Sequence, residues 1–226
     1  KNEITAMPID FATQQPKVID LAESGYGRTV GHSLYDFYMR EWAGVNPDNG
    51  AGRWVVHYTD KNSNSKFDSG EQISSLYEYM KANPNATILE GTTEVYSEAT
   101  QKFVGKSAVP DLRGAFSLNS GYKGFSLSMQ FLYGIGGYAY DGAYAGVMRS
   151  NTVGSNNWHK DMLNRWQKPG DITDVPRLAD AYGTDSQFTS MSTRFLTKSN
   201  YLALNNVRVA YTLPNRYSES FGMSNL

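Results

Sequence analysis

Residues 60–71, DKNSNSKFDSGE, hold the densest set of cation-type ligands in the chain. Oxygen-bearing side chains fall at loop positions 1, 3, 5, 9 and 12, namely Asp60, Asn62, Asn64, Asp68 and Glu71. Hard cations want several oxygens around one point, and this is the spacing of a calcium loop in which Lys66 supplies a backbone carbonyl. Serine (Ser65) stands where such loops carry glycine, and asparagine replaces two of the acids, so the expected site is weak. A plain polar surface turn fits the same residues. Elsewhere the chemistry is thin. His32, His57 and His159 lack metal-ligand spacing and read as surface or structural residues. Asp171 and Asp174, in PGDITDVP, form a pair of the kind glycosidases use, yet aspartate beside glycine and proline more often shapes a turn. No G-x-S-x-G elbow accompanies the serines. Cysteine is absent, which removes thiol nucleophiles, thiolate metal sites and disulfides. No residue is assigned a catalytic role, and the chain reads as no enzyme. The aromatics Tyr138, Tyr140, Tyr144, Trp158 and Trp166 can stack on sugar rings or touch a partner; packing within their own loop is the alternative.

The elements that would position these residues are mostly strands. The 226 residues suffice for one large or two small domains. The net charge of −1 offers no field for nucleic acid. Charged residues make up 19%, below the usual quarter, while the 16 tyrosines outnumber the 10 phenylalanines and favour interfaces. No apolar run is long enough for a membrane helix, and the first residues have no signal-peptide pattern. Both ends read as cut.

Residues 110–134 hold the clearest periodicity. Phe125, Leu127, Met129, Phe131 and Tyr133 alternate with Ser126, Ser128 and Gln130, with Leu132 the exception. Leu112, Phe116 and Leu118 likewise alternate with Arg113, Ser117 and Asn119. Period two puts the greasy residues on one side of a strand, and the glycine-containing link at 120–124 suits an antiparallel hairpin. A soluble sandwich would bury the greasy face under a second sheet; a transmembrane barrel would turn it to lipid. Periodicity alone leaves both open.

The rest of the chain tilts the choice. A strand is expected near 1–8, then loop to residue 30 with a short paired segment at 17–21. Residues 33–59 read as a second, water-exposed hairpin turning at Pro47-Asp48-Asn49-Gly50. A short helix is expected over 73–82, a strand at 92–96, helix over 155–166 from the spacing of Trp158, Met162 and Trp166, and a last strand over 201–213. Gly134-Ile135-Gly136-Gly137 has no βαβ context and is not a phosphate loop. Short links on one side and very long polar loops on the other are how outer-membrane barrels are built, and such loops are rare inside a sandwich.

Several passages resemble, in order, the SusC/RagA family of TonB-dependent outer-membrane transporters of Bacteroidetes: LYDFYMREWAGVNPDNG, DKNSNSKFDSGE, VGKSAVPDLRGAFSLNSGYKGFSLSMQFLYGIGGYAYD, RWQKPGDITDVPRL and STRFLTKSNYLALNNVRVAYTLP. The resemblance covers nearly the whole chain. It implies an all-β fold, a segment of a 22-stranded transmembrane β-barrel whose long extracellular loops contain small hairpins and short helices. Membrane strands would lie near 1–8, 112–121, 124–134 and 200–213, with extracellular loops near 9–111 and 135–199 and no plug or TonB box in this stretch. It further implies nutrient import, of glycan oligosaccharides or of oligopeptides, with a SusD-like surface lipoprotein as partner and TonB acting through the plug. No cofactor would be required; calcium in an extracellular loop is the one candidate ligand. A secreted β-rich carbohydrate-binding module is the competing expectation.

Overall fold

The structure, a computed structural model, describes residues 2–12, 14–21, 25–150, 154, 157–178, 184–214 and 217. Its strands are β1 (Ile19–Leu21), β2 (Tyr26–Arg28), β3 (Asp36–Arg40), β4 (Trp42–Val45), β5 (Gly52–Tyr58), β6 (Leu89–Thr93), β7 (Gln101–Ser107), β8 (Leu112–Tyr122), β9 (Phe125–Ile135), β10 (Tyr138–Tyr140), β11 (Leu196–Lys198) and β12 (Tyr201–Tyr211). The α-helices are α1 (Leu76–Ala82) and α2 (Gly142–Val147). The chain divides into two compact units, Lys1–Ala108 with Ala139–Thr197, and Val109–Tyr138 with Lys198–Leu226.

The second unit is one sheet in the order β12-β9-β8. Residues directly opposite in an antiparallel pair share a face, and the register therefore defines both sides. Leu112, Phe116, Leu118 and Tyr122 face Ile135, Phe131, Met129 and Phe125. Across β9, Leu202, Leu204, Val207, Val209 and Tyr211 oppose Tyr133, Phe131, Met129, Leu127 and Phe125. One side of all three strands is thus apolar, and the other carries Arg113, Ser117, Asn119, Ser126, Ser128, Gln130 and Arg208. In the sequence YLALNNVRVAY the apolar positions change parity between Leu204 and Val207, which a regular strand would send to opposite faces. The ladder skips Asn205, and this bulge keeps them together. The hairpin turn is tighter than the glycine-rich link suggests. Strand β8 runs on to Tyr122, and only Lys123 (φ 46°) and Gly124 (φ 87°) turn, both left-handed as a two-residue hairpin turn demands.

The first unit carries two small sheets, β1-β2-β3-β7 and β4-β5-β6. Its residues 33–59, expected to face water, are instead its core. Phe37, Tyr38 and Met39 run consecutively at 1–2% exposure, and Trp54 and Val56 are at 0%. Both faces of these strands are covered, which removes the alternation on which the expectation of exposure rests. Trp54 packs edge-on against Trp42 and Tyr96, each 5.4 Å between ring centres. Thr100 clips β5 from inside: its hydroxyl accepts from the His57 N–H (2.7 Å), and its own N–H reaches the Val55 carbonyl (3.2 Å).

Other expectations shift for local reasons. Residues 2–8 form no strand; the Ile4 N–H donates to the His32 carbonyl and Gly31 donates to Ile4 (2.9 and 3.0 Å), a pairing too short to make a ladder. Helix α1 starts where the Ser75 side chain accepts from the Glu78 N–H and ends at Asn83, whose N–H bonds the Tyr79 carbonyl. The region 155–166 contains only a 3₁₀ turn, Lys160–Asn164, started by the His159 ring accepting from the Asp161 N–H (3.3 Å). Residues 155 and 156 lie outside the described residues. Strand β7 is missed by sequence reasoning, because QKFVGKS lacks a period-two pattern of apolar residues.

Candidate functional site

Three groups of residues bear on function: the apolar face of the β12-β9-β8 sheet, the loop at Asp60, and the aromatic cluster after β9. The sheet is the largest. Leu112, Leu118, Phe125, Leu202, Leu204, Val207, Val209 and Tyr211 are all exposed on one side. Among the described residues nothing covers them, although a patch of this extent is unusual on a water-soluble monomer. Rings fill what small residues leave open. Tyr133 lies over Gly114, where an added Cβ would come within 2.7 Å of its hydroxyl, and Phe116 stacks on Phe131 at 4.9 Å. Eleven residues per strand reach roughly 36 Å along the strand, or about 25 Å of height when tilted by ~45°.

The loop at Asp60 closes on hydrogen bonds of its own. The Asp60 carboxylate accepts from the Asn64 and Ser65 N–H groups (3.2 and 2.7 Å). Asn62 and Asn64 both donate from Nδ2 to Asp68 Oδ2 (2.8 and 2.7 Å). These two bonds, the Asn62 bond first, hold the Asp68 carboxyl below its ordinary pKa. Glu71 is 6% exposed and spans the loop, accepting from Lys61 N–H on Oε1 (2.9 Å) and from Asp68 N–H on Oε2 (3.3 Å). Ser63 and Ser65 take φ near +60°, a left-handed backbone that glycine would adopt without strain. The five residues predicted from spacing are therefore brought into one loop, but Asn62, Asn64 and Asp68 converge while Asp60 and Glu71 are turned to backbone N–H groups. Among the described residues no three carboxylate, histidine or cysteine groups converge as a metal cage.

The aromatics separate. Tyr140, Tyr144 and Trp158 pack against a cluster of Ala145, Met148, Met162, Val175 and Phe195. The Tyr144 hydroxyl donates to Asp161 Oδ2 (2.7 Å), and burial together with that bond pushes its pKa up to about 12. Trp166 is held elsewhere: its indole N–H donates to the Pro47 carbonyl (2.9 Å), and its ring lies on Gly50, where a Cβ would approach to 2.4 Å. Glycine is required at Gly50 twice over, since its φ is +76°. Tyr138 begins β10, which pairs with β11. All five predicted contact residues are thus partly buried.

The histidines and the aspartate pair find structural places. His32 stacks on Phe103 at 3.6 Å and lies 3.1 Å from Asp36. Burial, with Lys102 next, lowers the pKa of His57, against the opposing pull of Glu90 at 3.3 Å. Asp171 accepts from the Gln167 and Lys168 N–H groups at 3.0 Å, a turn role. Asp174 instead lines a cavity with Trp42 and Arg194, two residues that sequence reasoning passed over because nothing in their spacing marks them.

Comparison with known proteins adds three results. No family model matches the chain. Over 135 residues it is 29% identical to a TonB-dependent receptor P3 of Formosa agariphila, a match covering 60% of this chain and 12% of that protein. Among solved structures it is similar to the RagAB peptide transporter, with a TM-score of 0.62, 25% identity and 92% of this chain covered against 19% of the other. The RagAB peptide importer in its closed-closed state gives 0.63 and 26% over 89% of this chain, again 19% of the other. The chain spans about a fifth or less of the proteins it matches.

Proposed function

Since the chain is a barrel segment of a SusC/RagA-like TonB-dependent transporter of the outer membrane, with transporters and receptors rather than enzymes as relatives, we infer that the intact protein imports oligomeric nutrients across that membrane. The observation that carries this reading is the apolar face that runs across β8, β9 and β12, broken only by Gly114 and Ser120. Lipid covers such a face, and the Ser, Asn, Gln and Arg side then lines an aqueous lumen. In this arrangement the Lys123–Gly124 turn lies at the periplasmic rim and the stretches 9–111 and 135–199 are extracellular, in a barrel of about 22 strands. The residues of the first unit then form the surface on which a SusD-like lipoprotein closes, and TonB acts on a plug contributed by another part of the protein. The named activity of the solved relatives puts oligopeptides first as substrate and oligosaccharides second.

Uptake of labelled oligopeptides and oligosaccharides, compared between cells with and without TonB, tests this. Import of one class is expected to vanish without TonB, and the protein to be extracted from outer membrane with a lipoprotein attached. A protein recovered from the water-soluble fraction, or uptake indifferent to TonB, refutes the reading.

Calcium at Asp60, Asn62, Asn64, Asp68 and Glu71 is a smaller part of the proposal. Its support is that five oxygen-bearing side chains lie in one loop, three of them converging at Asp68, with a left-handed residue at the glycine position. With three carboxylates among them, affinity in the range of extracellular modules, about 10⁻⁴ to 10⁻³ M, is expected. Titration calorimetry with calcium chloride should show a saturable heat that Asp68→Asn abolishes. A flat titration, and a melting temperature unmoved by EDTA, ends the idea.

A further inference from the structure

A cavity of about 340 Å³ in the first unit is lined by Trp42, Tyr144, Asp174, Thr193, Arg194 and Phe195. Arg194 is held between two aromatic walls, its guanidinium carbon 4.8 Å from the Trp42 ring and 4.9 Å from the Phe195 ring. One donor, on Nη1, bonds the Phe188 carbonyl at 2.7 Å. A guanidinium has five N–H donors, and among the described residues no carboxylate oxygen lies within 4.0 Å of this one. Burial pushes its pKa down to about 10, which leaves it charged at neutral pH. Asp174 on the same lining attracts this half-buried cation from beyond bonding distance, and an anion that enters the cavity adds the direct charge-assisted bonds that Asp174 does not make.

We propose that this cavity is a receptor for the carboxylate of a small monoanionic ligand, with Arg194 as its anchor. A carboxylate matches the planar fork of a guanidinium with two parallel bonds. Thr193 offers a second donor, since its Oγ1 accepts from the Trp42 N–H (2.9 Å) while its own proton remains available. The Tyr144 hydroxyl is committed to Asp161 and contributes ring surface only. Asp174, exposed on the same lining, sets the charge selectivity: one negative charge is tolerated beside it, and a dianion such as sulfate is repelled. The carboxylate can belong to a peptide C-terminus or to an acidic sugar. The inference stands apart from import, because an acid-binding cavity and a transport barrel can each exist without the other.

The test is binding to the intact protein in detergent, using four probes in two matched pairs: N-acetylglycine with its amide, and galacturonate with galactose. At least one acid should bind saturably, with its neutral partner at least about tenfold weaker, the weight of a charge-assisted hydrogen bond. The acid that binds identifies the source of the carboxylate. Sulfate should bind more weakly than that acid. Arg194→Met should remove at least about tenfold in affinity and Arg194→Lys less, because lysine keeps the charge without the fork. Absence of binding by both acids, equal binding of acid and neutral partner, tighter sulfate binding, or an unaffected Arg194→Met overturns the proposal. If Arg194→Met fails to fold, through loss of the Phe188 bond, the probe pairs on the unaltered protein decide alone.

Discussion

Met129→Arg is expected to cost the membrane-inserted protein about 2–4 kcal/mol, the penalty for a cation on the lipid face at the bilayer midplane. Met129 is near the middle of β9, with Leu118 opposite on β8 and Val207 opposite on β12, so no polar neighbour lies directly beside it across the ladder. Gln130, one residue on, points the other way, opposite Ser117 and Asn206. Gln130→Arg places the same charge at the same height on the polar face and is expected to cost little. The contrast isolates the solvent of each face from strand propensity and charge, since both variants share them. Reversible unfolding in lipid vesicles, or the fraction recovered as heat-modifiable barrel, reads the difference. Equal behaviour of the two variants would mean that the apolar face does not meet lipid. Near the strand ends, at Leu112 or Tyr122, the same charge should cost only about 0–1 kcal/mol, because a long side chain there reaches the headgroups.

The β12-β9-β8 sheet is the most legible part of this protein because one of its faces is apolar and the other polar, so the chain alternates. Even there, one feature was hidden. The parity change between Leu204 and Val207 looks like a flaw in a period-two pattern until pairing with β9 reveals the bulge at Asn205. Residues 36–58 were misread for the opposite reason. Phe37, Tyr38 and Met39 are buried together, and residues covered on both sides have no polar face to advertise. The Asp60 loop is visible because the side-chain bonds of Asp60, Asn62, Asn64, Asp68 and Glu71 are local, each spanning ten residues or fewer. The cavity at Arg194 could not be read in that way. It joins Trp42 to Thr193, 151 residues apart, through a backbone-to-hydroxyl bond that no local pattern encodes.

The first unit depends on Trp54 more than on any other single side chain we would alter. Its ring is fully buried and touches Trp42, Tyr96 and Phe188, and it clusters with Ala51 and Ala99. Trp54→Ala should therefore destabilise this unit by about 3–5 kcal/mol, since small residues around it cannot collapse into the space of an indole. Trp54→Phe is expected to cost much less. The Trp54 indole N–H is buried without a hydrogen-bond partner among the described residues, so a phenyl ring keeps most of the packing and removes an unpaired donor. The two substitutions separate shape from polarity, which a single alanine variant cannot do. Limited thermolysin digestion of the protein in detergent is the measurement, with cleavage after opening monitored inside residues 42–58. Trp54→Ala should be cut at low protease while the heat-modifiable band of the barrel persists. Its loss of protection must be accompanied by near-normal resistance in Trp54→Phe. If both variants are cut alike, the indole N–H is making a bond that the geometry does not contain, and if neither is, these contacts are not what holds the unit closed.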